Sequence, residues 1–358
     1  MLKKQTIRDV KFKNQTVLVR VDYNVPMEDG KITSDLRIKA SLPTINYLLE
    51  NGASKVILMS HLGRPEGKKV KEFSLAPVAK HLVKLLPDTK VDFIDDVSGP
   101  EVEEKVAKMP KGSILLLENL RFYPGEEQNS EEFAREIVDS THADLFVQDG
   151  FSVSHRAHAS VEVITRLLPS VAGLLLAKEI EALSSALNEP AKPVLVVIGG
   201  AKVADKAPLI ETFLKTADNI AIGGKIAADG YKSTDSKIYV AEDFDEDSDG
   251  SKLDIGPLSS GKIAEMALNA KTIIWNGLLG KAEDPAYATS STILAKIMGE
   301  NHEITSIVCG GDTTGFVEEL QEEYPELDYS LVSTGGGAAL EFLSGKSLPG
   351  YEALEDKS

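Results

Sequence analysis

The stretch P-V-L-V-V-I-G-G-A-K-V-A-D-K, residues Pro193–Lys206, decides the fold class of this chain. Its first six residues, Pro193–Ile198, are apolar and rich in β-branched side chains, which predicts a buried strand. Two glycines follow, and an amphipathic segment at Pro208–Thr216 then predicts a helix. A buried strand that passes through a glycine turn into a helix is the repeating unit of a parallel α/β sheet.

The same alternation of strand and helix extends over the whole chain. In the first half, strands are predicted at Thr16–Asp22, Lys55–Ser60, Val91–Ile94, Ser113–Glu118 and Asp144–Gln148. In the second half, further strands are predicted at Asn219–Ile222, Lys237–Val240, Thr272–Trp275, Ser306–Val308 and Tyr329–Val332. Amphipathic segments between strands predict helices at Ala40–Glu50, Leu75–Leu86 and Glu131–Ser140. The near-continuous apolar strands indicate parallel sheets with helices on both faces.

The length of 358 residues exceeds the usual size of one hydrophobic core, so two domains are expected. We place the joint in Pro169–Leu187, with one domain at residues 1–170, a hinge or connecting helix at 171–187 and a second domain at 188–344. The predicted fold class is α/β, with two domains that each contain a Rossmann-like parallel sheet and are separated by a cleft and hinge. The acidic run Glu242–Asp249 is expected to form a solvated loop.

Composition and charge narrow the range of functions. The net charge of −17 and the pI near 4.9 argue against nucleic acid or an anionic membrane surface as partner. The single cysteine, Cys309, cannot form an internal disulfide, which favours a reducing compartment. No secretory signal is visible, and no stretch approaches the roughly 20 apolar residues that span a bilayer. The sequence therefore predicts a cytoplasmic protein.

Arginines gather where the predicted strands of the first half end. Ligands of parallel sheets bind at the carboxyl ends of the strands, and these ends carry Arg20, Arg64, Arg121 and Arg156. The planar guanidinium suits bidentate binding of carboxylate and phosphate groups. Any one of these arginines alone would more often form a surface ion pair or cap a helix. Four at successive strand ends indicate a site for a small molecule with several negative charges.

Glycine and lysine follow the predicted strands of the second half instead. The segments are Gly199–Lys206, Gly223–Lys225, Asn276–Gly280, Gly310–Thr313 and Ser333–Ala338. Glycine lets backbone amides approach a phosphate closely, and lysine adds positive charge. A single glycine turn would serve only the shape of a connection, whereas five indicate a nucleotide site. G-x-x-x-x-G-K-[ST] is missing and no good G-x-G-x-x-G occurs, which disfavours nicotinamide chemistry. The two halves together predict phosphoryl transfer between two bound substrates.

Nine strings of residues at these places resemble the phosphoglycerate kinase family, from Val17 to about Leu354. They are Arg20–Pro26, Asp35–Ile38, Ser60–Pro65, Glu118–Phe122, His155–Ser160, Gly200–Lys206, Asp254–Pro257, Gly310–Thr313 and Ser333–Ala338. Each string is moderately specific, and all nine in this order are highly specific. The resemblance implies reversible phosphoryl transfer from 1,3-bisphosphoglycerate to Mg-ADP, which gives 3-phosphoglycerate and ATP.

The resemblance also implies which residues act. In the first domain, 3-phosphoglycerate or its 1,3-bisphosphate would be bound by Asp22, Tyr23, Asn24, Arg37, His61, Leu62, Gly63, Arg64, Arg121 and Arg156. In the second domain, ADP or ATP would be held by Gly200, Ala201, Lys202, Lys206, Glu283, Gly310, Gly311, Asp312 and Thr313, with Asp312 on Mg²⁺. Arg37 and Lys202 would act as the catalytic pair and meet the transferred phosphoryl group from opposite domains. The last segment, about 345–358, would pack back on the first domain, and a monomer is expected.

The chain also departs from the family pattern. Lys225 stands where the family usually has a third glycine, close to the expected adenosine pocket, which leaves the choice between ATP and GTP open. The stretch Gly230–Asp254 is shorter than in most members, so a helix and a loop are expected to be missing. Two alternatives therefore stay open. One is a paralogue that keeps the fold but senses nucleotides or binds a partner, and the other is a kinase for a different small phosphorylated acid.

Overall fold

The computed structural model describes residues 2–357, with the backbone alone at positions 203 and 205. The chain divides into two compact units. The first contains the residues up to Ile180 together with those from Ser347 onward, and the second is Glu181–Lys346. Among the described residues, no helix combines the length and the apolar character that crossing a lipid bilayer requires.

A parallel sheet of six strands forms the core of the first unit. Its strands and one short hairpin are β1 (Thr16–Arg20), β2 (Met27–Glu28), β3 (Lys31–Ile32), β4 (Lys55–Met59), β5 (Val91–Phe93), β6 (Ser113–Leu116), β7 (Leu145–Gln148) and β8 (Ser170–Ala172). The sheet order is β5-β6-β4-β1-β7-β8, while β2 and β3 pair only with each other. Because β4 and β7 lie on opposite sides of β1, the order reverses between β1 and β7. Ligands of open α/β sheets bind outside the strand ends at such a switch point.

Helices cover this sheet. They are α1 (Leu36–Glu50), α2 (Ala76–Leu85), α3 (Pro100–Ala107), α4 (Pro124–Glu127), α5 (Glu131–Thr141) and the first part of α6 (Leu174–Asn188), whose residues from Glu181 onward belong to the second unit. Short 3₁₀ turns lie at Lys71–Phe73, Leu120–Phe122, Phe151–Val153 and Val163–Arg166. All residues of β6 and β7 are buried, which requires packing against both faces of the sheet.

The second unit contains another parallel sheet of six strands. In chain order its strands and one hairpin are β9 (Val194–Ile198), β10 (Asn219–Ile222), β11 (Ile238–Val240), β12 (Phe244–Glu246), β13 (Lys252–Ile255), β14 (Thr272–Asn276), β15 (Thr305–Cys309) and β16 (Leu331–Val332). The sheet order is β11-β10-β9-β14-β15-β16, and β12 with β13 forms a separate antiparallel hairpin. Counted within the sheet alone, this is the 3-2-1-4-5-6 order of the Rossmann fold. Its switch point lies between β9 and β14.

The helices of the second unit follow its strands. They are α7 (Val203–Phe213), α8 (Gly224–Ala228), α9 (Pro257–Asn269), α10 (Thr289–Glu300), α11 (Gly311–Glu323) and α12 (Gly336–Leu343), with a 3₁₀ turn at Pro285–Tyr287. Trp275 and Cys309 are fully buried in this unit. The last helix, α13 (Pro349–Glu352), belongs to the first unit, where the Glu355 amide donates to Ser170 O at 3.0 Å.

The predicted α/β class with two parallel sheets is confirmed, and all eleven predicted strands are present with ends that differ by at most two residues. Ser170–Ala172, which overlaps the expected joint, forms the edge strand β8 instead. Three residues are too few for a periodic pattern to show. The acidic run Glu242–Asp249 is not all loop, since Phe244–Glu246 forms β12. Pro208 lies inside α7 rather than at its start, because the turn after β9 leads directly into the helix.

Candidate active site

Asp22 lies at the centre of a charged cluster beyond the end of β1. Its Oδ2 accepts a hydrogen bond from Arg37 Nη1 at 2.8 Å, and its Oδ1 accepts from the Asn24 amide at 2.9 Å. The Ser152 hydroxyl also donates to the Asp22 carboxylate. Burial alone would raise the pKa of Asp22, but the Arg37 guanidinium and the hydrogen bonds from Ser152 and Asn24 outweigh it and hold the pKa at about 2. Asp22 is therefore an anion at neutral pH and holds Arg37 in place.

Arg37 projects from the first turn of α1 and is anchored on one side only. Its Nη1 also donates to the Asn24 carbonyl oxygen at 3.0 Å, and 30% of its side chain is exposed. The Asn24 side chain in turn accepts from the Gly63 amide at 2.8 Å, which fixes the turn after β4. A guanidinium held at one nitrogen keeps further donors for a ligand.

His61 is buried beside the same carboxylate. Its Nδ1 lies 3.2 Å from Arg20 Nη2 and 3.8 Å from Asp22 Oδ1. A guanidinium can only donate, so Nδ1 accepts and the ring proton lies on Nε2. Burial lowers the pKa of His61 well below its ordinary value, and nearby arginines oppose protonation further. His61 is therefore neutral and offers Nε2–H as a hydrogen-bond donor.

Arg121 and Arg156 complete the cationic side of the cluster. Arg121 is 4% exposed and donates from Nη1 to Gly63 O at 2.8 Å. Burial lowers the pKa of Arg121 to about 10, with Arg156 and Arg20 as the next causes. Burial and the same three arginines lower the pKa of His158 to about 3. Cations crowded in this way would be stabilised by a bound anion.

Two of the arginines at strand ends have other surroundings. Arg20 is 1% exposed, donates from Nε to Ser160 Oγ at 2.7 Å and lies 3.9 Å from Glu126 Oε1. The guanidinium of Arg20 is thus bound to groups inside the protein, and its contact with Nδ1 helps to hold the His61 ring in place. Arg64 is exposed and follows Gly63 on the turn after β4.

Tyr23 and Leu62, which the resemblance placed among the substrate-binding residues, have buried side chains. Tyr23 is 0% exposed, and its hydroxyl lies 3.0 Å from Ser41 Oγ. Leu62 is 4% exposed, and both residues belong to the hydrophobic core of the first unit. Any contact that they make with a ligand would therefore come from the backbone.

Asp149 is a fully buried carboxyl group at the end of β7. Its Oδ1 accepts from Thr44 Oγ1 at 2.8 Å and from the Leu175 amide at 3.0 Å, in the first turn of α6. Its Oδ2 is buried without a hydrogen-bond partner among the described residues. Burial raises the pKa of Asp149 to about 7, against the opposing effect of these hydrogen bonds. Asp149 thus joins the sheet to α1 and α6 while its ionised form is disfavoured.

The replacement Asp149→Asn is expected to change how stability depends on pH. Because folding raises the pKa of Asp149 from about 4 to about 7, the wild-type free energy of unfolding should fall as pH rises through this window, by a few kcal/mol. Asparagine keeps the acceptor oxygen but carries no charge, so the variant should lack this component. Urea unfolding followed by circular dichroism between pH 4 and 8 measures the difference. Parallel pH profiles for the two proteins would contradict the prediction.

Glycines allow the turns after β9 and β14 to touch at the switch point of the second unit. The Gly200 amide donates to Leu278 O at 2.9 Å. A Cβ added to Gly199 would overlap that carbonyl group, and one added to Gly277 would overlap Gly199 O. Gly277 also has φ of +101°, a conformation that favours glycine.

A pocket of about 510 Å³ opens above these turns. All nine nucleotide-binding residues implied by the resemblance line it, namely Gly200, Ala201, Lys202, Lys206, Glu283, Gly310, Gly311, Asp312 and Thr313. They come from the ends of β9, β14 and β15. Three lysines without an assigned role also line the pocket: Lys225, Lys252 and Lys281.

The start of α11 is suited to bind phosphate. Gly310 has φ of +99° and precedes the first helical residue, Gly311. A Cβ on Gly336 would lie 2.8 Å from the Gly311 amide nitrogen, so the glycine run that starts α12 packs directly behind this turn. The exposed amides and the dipole of the 13-residue helix α11 favour an anion here.

Asn276 lies between the pocket-lining residues Lys206 and Gly277, and it was not among the individual site residues that the resemblance implied. It is 1% exposed, and its Oδ1 accepts from Lys206 Nζ. Its Nδ2 is buried with no hydrogen-bond partner among the described residues and lies close to Gly310. A buried amide donor left unpaired beside a turn suited to phosphate is available to an acceptor on a ligand. The available signal was a polar residue directly after the apolar run Thr272–Trp275.

The pocket also fits a magnesium ion that arrives with a nucleotide. Among the described residues, no group of three or more His, Cys, Asp or Glu side chains could hold a metal ion alone. Magnesium bound to nucleotide phosphates needs only one or two protein carboxylates. Asp312, exposed in the first turn of α11, supplies one beside the proposed phosphate position.

Comparison with known proteins identifies relatives along the whole chain. A sequence profile described as phosphoglycerate kinase matches residues 7–247 and 228–346. The phosphoglycerate kinase of Moorella thermoacetica is 42% identical over 399 aligned positions, which cover 99% of this chain and 100% of the relative. The structure of phosphoglycerate kinase from Coxiella burnetii has a TM-score of 0.79 at 36% identity and covers 98% of both chains. That from Pyrococcus horikoshii OT3 has a TM-score of 0.85 at 29% identity and covers 99% of this chain and 98% of its own.

The alignment also shows that the Moorella relative contains residues that this chain lacks, because its 399 positions exceed the 358 residues here. The two segments of the profile match overlap at residues 228–247, most of which belong to the stretch Gly230–Asp254 that was expected to be shortened. The profile nevertheless spans most of the chain, and the full-length relative exceeds 40% identity. The chain therefore belongs to the phosphoglycerate kinase family, as its sequence predicted.

Proposed function

We propose that this chain is an active phosphoglycerate kinase, a phosphotransferase with a carboxyl group as acceptor. It transfers a phosphoryl group reversibly from 1,3-bisphosphoglycerate to Mg-ADP and so forms 3-phosphoglycerate and ATP. The observation that carries the proposal is the retention of both binding chemistries in a member of this family. The first unit keeps a cationic cluster around Asp22, and the second keeps a pocket of glycines and lysines.

The first unit is proposed to bind the phosphoglycerate. Arg121 and Arg156 repel each other in the free protein, so an anionic substrate would relieve an unfavourable interaction. Arg37 has donors free of Asp22 and Asn24 for a phosphoryl or carboxyl oxygen. His61 is proposed to donate from Nε2 to a substrate oxygen.

The second unit is proposed to bind the nucleotide. The amides of Gly310–Thr313 would contact the terminal phosphates, and Lys206 would neutralise part of their charge. Glu283 would accept hydrogen bonds from the ribose hydroxyls. Asp312 would hold Mg²⁺, which when bound neutralises charge on the β- and γ-phosphates.

The reaction is proposed to proceed by in-line transfer without a covalent enzyme intermediate. An acyl phosphate already has a good leaving group, so the protein mainly needs to position the reactants and neutralise charge. Arg37 and Lys202 are proposed to donate hydrogen bonds to the equatorial oxygens of the transferred group. These donors act where negative charge is redistributed in the transition state.

The cytoplasmic location and the monomeric state stay predictions. A chain with a single, fully buried cysteine is compatible with a reducing compartment. Light scattering of the purified protein would compare its mass with the 38.6 kDa of one chain.

Activity is tested by the reverse reaction. Purified protein would be mixed with 3-phosphoglycerate, Mg²⁺ and ATP or GTP, and the acyl phosphate formed would be reduced by a coupling dehydrogenase with NADH. Oxidation of NADH that requires all three components is expected. The fluorescence of Trp275, the single tryptophan, verifies that the second unit is folded. No turnover with either nucleotide from folded protein would refute the proposed activity.

Replacing Asn276 with alanine is expected to weaken nucleotide binding by about tenfold or more, because a hydrogen bond to a charged phosphate contributes roughly 1.5–3 kcal/mol. Calorimetric titration with ADP measures the dissociation constant. Asn269→Ala, at an exposed position on α9, serves as the control and should leave binding unchanged. A variant that is less stable than wild type but binds ADP equally well would show that Asn276 has only a structural role.

A further inference from the structure

We infer that the nucleotide pocket selects a 6-oxopurine base, guanine or hypoxanthine, over adenine, and that Lys225 and Lys252 determine this preference. The inference rests on the proposed function in one respect, since it places a nucleoside diphosphate in the pocket of the second unit. It concerns which base this chain accepts, and the residues involved have no role in the proposed transfer step.

The order of strands locates the base end of the pocket. The proposed phosphate turn, Gly310–Thr313, follows β15, and two strands, β14 and β9, lie between β15 and β10. Three spacings of about 4.8 Å separate the ends of β15 and β10 by about 14 Å. A nucleoside diphosphate that extends from this turn along the strand ends therefore places its base near α8, which follows β10. Helix α8 packs against β13, so the β12–β13 hairpin forms the other wall.

The side chains at this end provide apolar surface and hydrogen-bond donors. Phe244, Leu253 and Leu279 line it as apolar groups suited to the faces of a base, and Lys225, Lys252 and Lys281 line it as cations. The carboxylates nearby have other partners or roles. Asp254 is buried and accepts from the Ile255 amide at 2.8 Å, the Ser290 amide at 3.1 Å and the Ser290 hydroxyl. Glu283 is proposed to bind the ribose.

Donor-only side chains distinguish between the purines. An ammonium group has three donors and no acceptor. Guanine and hypoxanthine present two adjacent acceptors, O6 and N7, and lysine is a common partner of this pair. Adenine presents its N6 amino group, a donor, beside N7. An ammonium group near the 6-position and N7 of the base therefore attracts a 6-oxopurine. With adenine, the same ammonium group faces the N6 amino group, and two donors cannot form a hydrogen bond with each other.

Contacts position two of the lysines for this task. Lys225 Nζ is held 2.9 Å from Oδ1 of Asp229, the residue directly after α8, and keeps further N–H donors for a ligand. Lys252 Nζ lies 4.3 Å from the centroid of the Phe244 ring, so its charge lies next to an aromatic surface suited to a base. Both side chains are exposed, so their contribution to selectivity should be moderate.

Calorimetric titration of the full-length protein with ADP, IDP and GDP tests the inference. IDP differs from ADP only at the 6-position and its neighbouring N1, so this pair isolates the contact. IDP and GDP are expected to bind about five- to tenfold more tightly than ADP, the effect of one well-placed base contact. Lys225→Ala and Lys252→Ala should each reduce this ratio. Lys225→Glu should reverse it, because a carboxylate accepts from the adenine amino group. Lys232→Ala, outside the pocket, should leave the ratio unchanged.

Wild-type protein that binds ADP as tightly as IDP would overturn the inference, and so would a ratio that all three pocket variants leave unchanged. The proposed function fails in a different way. If the folded protein binds IDP more tightly than ADP but phosphorylates 3-phosphoglycerate with no nucleoside triphosphate, the inferred base preference stands and the proposed kinase activity is refuted. If turnover is most efficient with ATP and ADP binds more tightly than IDP and GDP, the proposed kinase activity stands and the inferred base preference is overturned.

Discussion

Replacing Arg37 with alanine is expected to lower kcat by roughly 10²–10³, the usual effect of removing a donor that stabilises transition-state charge. Arg37 is the guanidinium in the Asp22 cluster that is anchored at one nitrogen while 30% of its side chain stays exposed. Its proposed partner is the transferred phosphoryl group. Because that contact strengthens in the transition state, kcat should fall more than KM rises. The coupled assay at saturating substrates measures the effect.

Lys202→Ala should lower kcat by a similar factor, since Lys202 is also proposed to contact the transferred phosphoryl group. Lys202 is exposed beside the pocket at the start of α7. Matched controls are available for both variants. Lys39→Ala removes a cation that pairs with Asp35 in the same part of α1, and Lys215→Ala removes an exposed lysine beyond the end of α7. Both controls should retain wild-type turnover.

Arg37 also has a structural contact, so its catalytic role needs a separate readout. Arg37→Ala leaves the buried Asp22 carboxylate without its closest cation, which should lower stability as well as activity. The double variant Arg37→Ala, Asp22→Asn removes this unpaired charge and should recover part of the stability. Recovery of turnover to the wild-type value in the double variant would show that Arg37 acts only by pairing with Asp22.

Gly277→Ala is expected to destabilise the second unit by roughly 2–5 kcal/mol, from backbone strain at positive φ and from overpacking. Gly277 has φ of +101°, and an added Cβ would overlap the Gly199 carbonyl group and lie 2.9 Å from the Gly200 amide nitrogen. All of these atoms belong to the backbone, so no change of rotamer relieves the overlap. The turns after β9 and β14 would have to separate, and the pocket above them would be distorted.

Trp275 provides the measurement for this variant, because it is the single tryptophan and is fully buried two residues before Gly277. Its fluorescence during urea unfolding reports on the second unit. Gly315→Ala is the matched control, since Gly315 lies inside α11 and a Cβ there would meet no atom within 4 Å. That substitution should raise stability by about 0.5–1 kcal/mol through helix propensity. Equal unfolding midpoints for Gly277→Ala and wild type would contradict the close approach of the two turns.

The strands of both sheets could be predicted because their signal is local. A buried parallel strand such as Val194–Ile198 is a continuous run of apolar residues whatever its neighbours in space. The rule that ligands bind at strand ends then pointed to residues such as Asp22 and Asp312. Short strands at the edge of a sheet or in a separate hairpin have a weaker sequence pattern. Ser170–Ala172 and Phe244–Glu246 are strands only because particular partners lie beside them.

The roles of individual side chains could be predicted less well. Arg20 and Arg121 both stand at strand ends, yet Arg20 is bound internally to Ser160 while Arg121 lies among other arginines. Tyr23 occurs in the same string as Asp22, but its side chain packs into the core. The direction in which a side chain points and the extent to which it is buried both depend on packing. A short string of residues does not specify that packing.

The sequence by itself determined the α/β class, the number of parallel sheets, the family and the contrast between an arginine-rich half and a glycine-rich half. These properties follow from residue type, periodicity and order along the chain. Tertiary structure alone decided the strand order and its switch points, the meeting of Gly199 with Gly277 and the unpaired Asn276 amide beside Gly310. It also raised the pKa of the buried Asp149. The physical reason is that contact, burial and electrostatic energy depend on distances between residues far apart in the chain, and only folding sets those distances.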